Sequence, residues 1–338
     1  MRARGASLLR RVAITSSGLV LAAGLAACGG AAGGGGGNAA EYPSDTVEIM
    51  VPAAAGGGWD STGRAMQAVI ESENLIQESV EVFNVEGGGG ATGLAQLQDS
   101  EGDPHHLMMT GLVMIGALKA ADSPVSLENT TPIATLTAEA EAFVVPAGSP
   151  FQTITDVVEA YQADPASVTF GGGSAGGSDQ LVVATLLQEA GADVGAMKYV
   201  GYSGGGEATA GILAGDVEVG VSGYSEFEAQ IEAGEMRLLA ISTAETFEVN
   251  GKPATTLQDA GYDVDFANWR AVVAAPGLSE EQAAAVTAMI DEMHATEAWK
   301  QQLEKNNWTD FYKTGDEAVA FFQAEKKRVD EIYAELGL

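Results

Sequence analysis

Along this chain, short unbroken apolar runs alternate with longer stretches in which apolar residues recur every three to four positions, and clusters of glycine separate the two. Val47 to Val51 is an apolar run that predicts a buried strand. It is followed by Pro52-Ala53-Ala54-Ala55-Gly56-Gly57-Gly58-Trp59-Asp60-Ser61 and a helical stretch with Met66, Val69 and Ile70 on one face. Val80 to Val85 predicts a second strand, and Gly87 to Gly90 lead into a helix over Ala91 to Leu97. The pattern returns later. Val168-Thr169-Phe170 predicts a strand, Gly171 to Ser178 a loop, and Asp179 to Ala190 a helix with Leu181, Val182, Leu186 and Leu187 inward. Met197 to Val200 predicts the next strand, and Tyr202-Ser203-Gly204-Gly205-Gly206 opens into a helix over Glu207 to Leu213.

Strand, glycine loop and helix thus occur twice in succession in each of two regions, the alternation of a mainly parallel sheet flanked by helices. Two similar α/β lobes are predicted. Open sheets of this kind bind ligands beyond the carboxyl ends of their strands, so the four glycine loops are placed to share one cleft. Glycine lets backbone N–H groups approach a ligand closely, and each helix N-terminus adds unpaired donors and the positive end of its dipole. Such a cleft suits an anion.

The first residues have a different character. Arg2, Arg4, Arg10 and Arg11 precede an apolar run from Val12 to Ala27, the layout of an export signal, and Arg10-Arg11 leaves the choice of export route open. Leu25-Ala26-Ala27-Cys28 resembles a lipobox, in which the cysteine is acylated and becomes the mature N-terminus at the outer face of the cytoplasmic membrane. Cys28 is the only cysteine, and residues 29–40 are nearly all Gly and Ala, a flexible tether. Cleavage before Cys28 removes four arginines and no acid, so the formal charge moves from -31 to about -35. Nucleic acid is excluded as a partner by that field, and anionic lipid is repelled, which leaves the lipid anchor to hold the protein at the membrane.

Several loops also fit other chemistries. Gly171-x-Gly173-x-x-Gly176 matches a dinucleotide fingerprint, but the ribose-binding acid belongs at the end of the next strand, where Gly201-Tyr202 stands. Gly201-Tyr202-Ser203-Gly204-Gly205 matches a nucleophile elbow, so an exported serine hydrolase using Ser203 is an alternative. The histidine following it in the chain is His294, which belongs to the helical run of Val286, Met289, Ile290 and Met293. His105 and His106 beside Asp103 would point opposite ways on a strand, which favours a solvated loop over a metal site. Asp60 and Arg64 are four apart, either an intrahelical ion pair or, through Asp60, a ligand or water contact.

Taken in order, Val51 to Asp60, Asn84-Val85-Glu86-Gly87-Gly88-Gly89-Gly90-Ala91-Thr92-Gly93, Phe170 to Ser178, Tyr199 to Gly205, and Leu257 to Tyr262 followed by Trp269 resemble the substrate-binding proteins of tripartite tricarboxylate transporters. Glu86, Val200-Gly201 and Asp103-Pro104-His105-His106 depart from the family pattern and leave the carboxylate unnamed. The resemblance implies an α/β two-lobed periplasmic-binding-protein fold, type II-like, with the ligand cleft between the lobes. With the signal peptide read at 1–27 and the tether at 28–40, it places lobe one at 41–140 plus 273–338 and lobe two at 141–272, with crossings near Ala138 to Pro146 and Phe266 to Pro276. Ser279 with Gln282 fits a capping box that starts a helix in the C-terminal return.

The function implied is a monomeric, non-enzymatic receptor without cofactor or metal, passing a small di- or tricarboxylate to large and small integral-membrane transporter subunits. A receptor serving a membrane sensor is the second alternative. Ligand carboxylates would accept N–H bonds from Gly57, Gly58 and Trp59 and from Gly173, Ser174 and Gly177. Ser61, Ser174, Ser178 and Ser203 would add hydroxyls, beside Asp60 and Tyr202, with Trp59 and Trp269 as cleft walls or core. Whether an arginine such as Arg270 joins the anchor stays open.

Overall fold

The computed structural model describes residues 42–336; the expected signal, Cys28 and the tether lie outside the described residues. β1 (Val47–Val51) leads through the first glycine loop into α1 (Gly58–Ser72), β2 (Val80–Asn84) into α2 (Ala91–Gln98), and β3 (His106–Gly111) into α3 (Leu112–Ala120). After the long β4 (Thr131–Pro146) and α4 (Ile154–Ala163), the arrangement repeats. β5 (Thr169–Gly172) precedes α5 (Ser178–Glu189), β6 (Lys198–Gly201) precedes α6 (Gly205–Ala214), and β7 (Val219–Gly223) precedes α7 (Tyr224–Glu232) and β8 (Met236–Ile241). A small antiparallel pair, β9 (Glu248–Val249) and β10 (Lys252–Pro253), comes before β11 (Ala267–Ala274). Then follow α8 (Glu280–Ala295), α9 (Glu297–Lys305), β12 (Thr309–Thr314) and α10 (Gly315–Leu336).

The two repeats have one register logic. β1 lies parallel between β2 and β3, with Val47 opposite Val80 and Ile49 opposite Leu107. β5 lies parallel between β6 and β7, with Thr169 opposite Lys198 and Phe170 opposite Val219. Between these parallel sets run the antiparallel β11 and β4, so the strand order is β2-β1-β3-β11-β4-β7-β5-β6, with β12 and β8 also on β4. β4 changes partners along its length. Thr131 to Ala140 pairs with β11, while Glu141 to Val144 pairs with β7. Covered on both edges, β4 is buried from Ile133 to Val145, which puts Glu139 and Glu141 inside the molecule.

Each lobe buries the helix faces that the periodicity marks. Met66, Val69 and Ile70 of α1 pack inward, as do Leu181, Val182, Leu186 and Leu187 of α5. Ser279 and Gln282 form the reciprocal cap that begins α8: the Gln282 N–H donates to Ser279 Oγ at 3.2 Å and the Ser279 N–H to Gln282 Oε1 at 2.8 Å. The fold is α/β and two-lobed. α10 reaches back over both repeats, where the Tyr333 hydroxyl lies 3.0 Å from the Gly116 carbonyl and 2.8 Å from that of Gly176. No helix of the described residues is long and apolar enough to cross a membrane.

Candidate functional site

The glycine loops of the two repeats meet around a cavity of about 550 Å³. Gly57, Gly58 and Trp59 line it from the first loop, Gly173 and Ser174 from the loop after β5, and Tyr202 and Ser203 from the loop after β6. The walls are close together. A Cβ placed on Gly57 would lie 3.9 Å from Gly204 Cα, and one on Gly89 would lie 3.6 Å from Ser174 Cβ. The N-cap glycines of α1, α5 and α6, which are Gly57, Gly177 and Gly204, carry no side-chain cap.

Other expected residues sit elsewhere. Trp269 faces the opposite side of β11 from its neighbours Asn268 and Arg270, both of which line the cavity, because successive strand residues alternate in direction. Its indole packs edge-on against Phe321 at 5.0 Å and donates to Glu325 at 2.6 Å, which makes it core. Ser178 is fully buried and donates to Asp179 at 2.9 Å, and the Gly177 N–H donates to the Ser174 carbonyl at 2.9 Å. Ser61 lies in α1, its N–H bonded to the Gly57 carbonyl at 2.9 Å, away from the cavity lining.

Asp60 ties the first loop together. Its carboxylate accepts from Gly56 N–H at 2.9 Å, Asn84 at 3.0 Å and Arg64 at 3.0 Å. Burial pushes its pKa up, but the hydrogen bonds from Arg64, Gly56 and Asn84 outweigh burial and hold the carboxyl below its usual range. Ser203 lines the cavity, whereas His294 does not; its imidazole bonds Asp310 at 3.0 Å and stacks on Tyr312 at 3.7 Å. His105 hydrogen-bonds Asp103 at 2.8 Å and His106 lies 3.3 Å from Glu48, at the start of β3.

The charged groups of the cavity are the principal addition of the structure. Arg270 is 2% exposed and ion-paired with Glu139, which also accepts from the Ser225 hydroxyl at 2.7 Å at the start of α7. Burial pulls the Arg270 guanidinium down to about 9, still protonated at neutral pH. Asp179 accepts the Gly173 N–H at 2.7 Å, and Glu226 accepts the Gly58 N–H at 2.9 Å and the Ser222 hydroxyl at 3.3 Å. Burial and the charge of Asp179 push the Glu226 carboxyl up to about 7, against the pull of those two hydrogen bonds. Burial likewise raises Asp179, and burial with the Asp179 charge raises Glu141 well above the usual range.

Gly58, expected to admit a ligand, therefore admits a side chain of the protein itself, and so does Gly205. A Cβ on Gly58 would lie 2.5 Å from Arg270 Cζ, and one on Gly205 would lie 2.5 Å from Glu226 Cδ. The N–H groups of Gly58 and Gly173 are occupied by carboxylates of the protein itself. The signal that could have found these residues is charge inside apolar strands: Glu139 and Glu141, two apart in the run Ala138 to Pro146, and Arg270 in Ala267 to Ala274.

Comparison with known proteins gives concordant results. The chain is 27% identical over 259 residues to the UPF0065 protein of the TAR-I ttuE-ttuC' intergenic region of Agrobacterium vitis, covering 75% of this chain and 73% of the relative. In fold it is similar to MatC from Rhodopseudomonas palustris with bound malate, at 19% identity and a TM-score of 0.76, covering 86% of this chain and 99% of that one. A second R. palustris protein, with adipate, superposes at a TM-score of 0.77 and 19% identity, covering 88% and 98%. The family model for the tripartite tricarboxylate transporter family receptor matches residues 64–338, and with most of its length inside that match the chain belongs to this receptor family.

Proposed function

We propose that this chain is an extracytoplasmic, lipid-anchored solute receptor that encloses a small di- or tricarboxylate between its lobes and delivers it to the large and small membrane subunits of a transporter. It performs no chemistry on the ligand. The observation that carries this reading is the cavity between the glycine loops of both repeats, of a volume suited to one small molecule and lined by Ser174 and, near the starts of α1 and α6, by Gly57 and Ser203. The malate and adipate held by fold relatives support the ligand class. Cys28 is the proposed acylation site, and the acidic chain gives the membrane surface no attraction of its own. Of the expected contacts, Gly57, Trp59, Ser174, Tyr202 and Ser203 are retained as ligand-facing residues.

The lobes are assigned to 41–140 with the C-terminal return and to the segment after Glu141, supported by the change of partner within β4. The second crossing is assigned near Phe266 to Pro276, a reading supported by the pairing of Ala267 to Ala274 with β4 and of Arg270 to Ala274 with β3. Titration of tryptophan fluorescence tests the function, since Trp59 borders the cavity. Saturable responses to di- or tricarboxylates, with none to sugars, are expected. A panel in which sugars bind and carboxylates do not would overturn the assignment, and ester turnover lost on Ser203→Ala would replace it with a hydrolase.

A further inference from the structure

We propose that Glu226 is a built-in competitor of the ligand: its carboxylate reaches from α7 of the second repeat to the start of α1 in the first, occupies the Gly58 N–H, and has to be displaced before a ligand carboxylate can use that donor. The inference rests on the carboxylate-receptor reading and adds to it an autoinhibitory contact across the cleft.

The N–H groups of a helix's first turn have no acceptor within the helix, and a carboxylate suits them best. The N-cap of α1 offers none, since Gly57 has no side chain. Glu226 supplies it from the other side of the cavity: Oε1 accepts the Gly58 N–H at 2.9 Å, while Oε2 accepts the Ser222 hydroxyl at 3.3 Å. Glycine keeps the approach open. A Cβ on Gly205 would lie 2.5 Å from Glu226 Cδ, and one on Gly57 would lie 3.9 Å from Gly204 Cα, so the starts of α1 and α6 meet with the carboxylate beside them both.

The contact can be broken. Glu226 lines the cavity and keeps part of its surface exposed, whereas Asp179 is 3% exposed, so rotation of the Glu226 side chain frees Gly58 without unpacking the core. The carboxylate is also held in poor surroundings. Burial and the charge of Asp179 push it up to about 7, and Arg270, which lines the same cavity, is paired with Glu139 instead. Turning toward solvent relieves that burial. A ligand carboxylate cannot share the donor, because a second carboxylate at one N–H brings like charges together in a poorly solvated site. If the contact is made in about nine molecules of ten, it lowers apparent affinity about tenfold and slows amide exchange at Gly58 by the same factor, since both proceed through the open fraction.

Amide exchange at Gly58, read by NMR on the ligand-free full chain, and calorimetric titration with malate, adipate and citrate test this in wild type, Glu226→Gln and Glu226→Ala. The Gly58 amide of wild type is expected to exchange about tenfold slower than that of Glu226→Ala, with Glu226→Gln between them. Glu226→Ala should bind the responding acid about tenfold tighter than wild type, a gain that matches its faster exchange. Glu226→Gln, which keeps an uncharged oxygen for Gly58, should gain less. Equal gains in the two variants would mean that charge repulsion alone opposes the ligand, and the inference falls. It falls too if Glu226→Ala binds more weakly, which makes Glu226 a ligand contact, or if Gly58 of wild type exchanges as fast as an unprotected amide, a result that needs neither variant to fold. None of these results touches the carboxylate receptor. If none of the three acids binds any of the three proteins, the receptor reading falls and takes the inference with it.

Discussion

Replacing Glu226 with Gln should change how stability depends on pH, and the size of the change follows from the site. The Glu226 carboxyl is raised from about 4.5 to about 7 by burial and by Asp179. Between those values the folded chain holds a proton that the unfolded chain has released, so stability is highest below about 4.5 and falls as pH rises toward about 7. A shift of that size corresponds to roughly 3 kcal/mol, which solvent around a half-buried carboxylate trims to about 2 to 3 kcal/mol. Glutamine retains an oxygen for the Gly58 N–H but does not titrate, so it removes this contribution and leaves most of the rest. Urea denaturation of wild type and Glu226→Gln at pH 5 and pH 8 measures it. The wild type should lose about 2 to 3 kcal/mol more than the variant over that interval. Curves that shift with pH by the same amount, within about 0.5 kcal/mol, would refute the claim that Glu226 titrates in a buried acidic environment.

Gly58→Ala should destabilise by about 1 to 3 kcal/mol in thermal or urea unfolding, because the new methyl meets a guanidinium that is buried and tied to Glu139. A loss below about 0.5 kcal/mol would mean that Arg270 moves freely. Cys28→Ser should move the protein from the membrane to the soluble fraction on fractionation while leaving ligand affinity unchanged, since anchoring is assigned to acyl chains alone. Pelleting of the variant as complete as that of wild type would remove the lipoprotein assignment.

The placement of strands and helices was legible because the signals were local. Apolar runs bounded by glycine became β1, β2, β5 and β6, and the helical apolar spacing reappears as the buried faces of α1 and α5. The convergence of the glycine loops was legible as well, since parallel strands followed by helices leave their loops at one end of the sheet. Trp269 was placed in the core by alternation along β11, a direction that depends on which face of the strand each neighbour covers.

By itself, then, the sequence determined the α/β repeats, the two lobes and the cleft between them, because hydrophobic period and glycine punctuation act over a few residues. Which groups occupy the floor of that cleft was decided by tertiary structure. Asp179, Glu226 and Arg270 line it, with Glu139 paired to Arg270; these four are far apart in the chain and come from α5, α7, β11 and β4, and only the pairing of β4 with β11 and β7 brings them together. Once there, low solvent access makes each charge depend on the others, so the Gly58 and Gly173 donors that the sequence offered to a ligand are held by the protein's own acids.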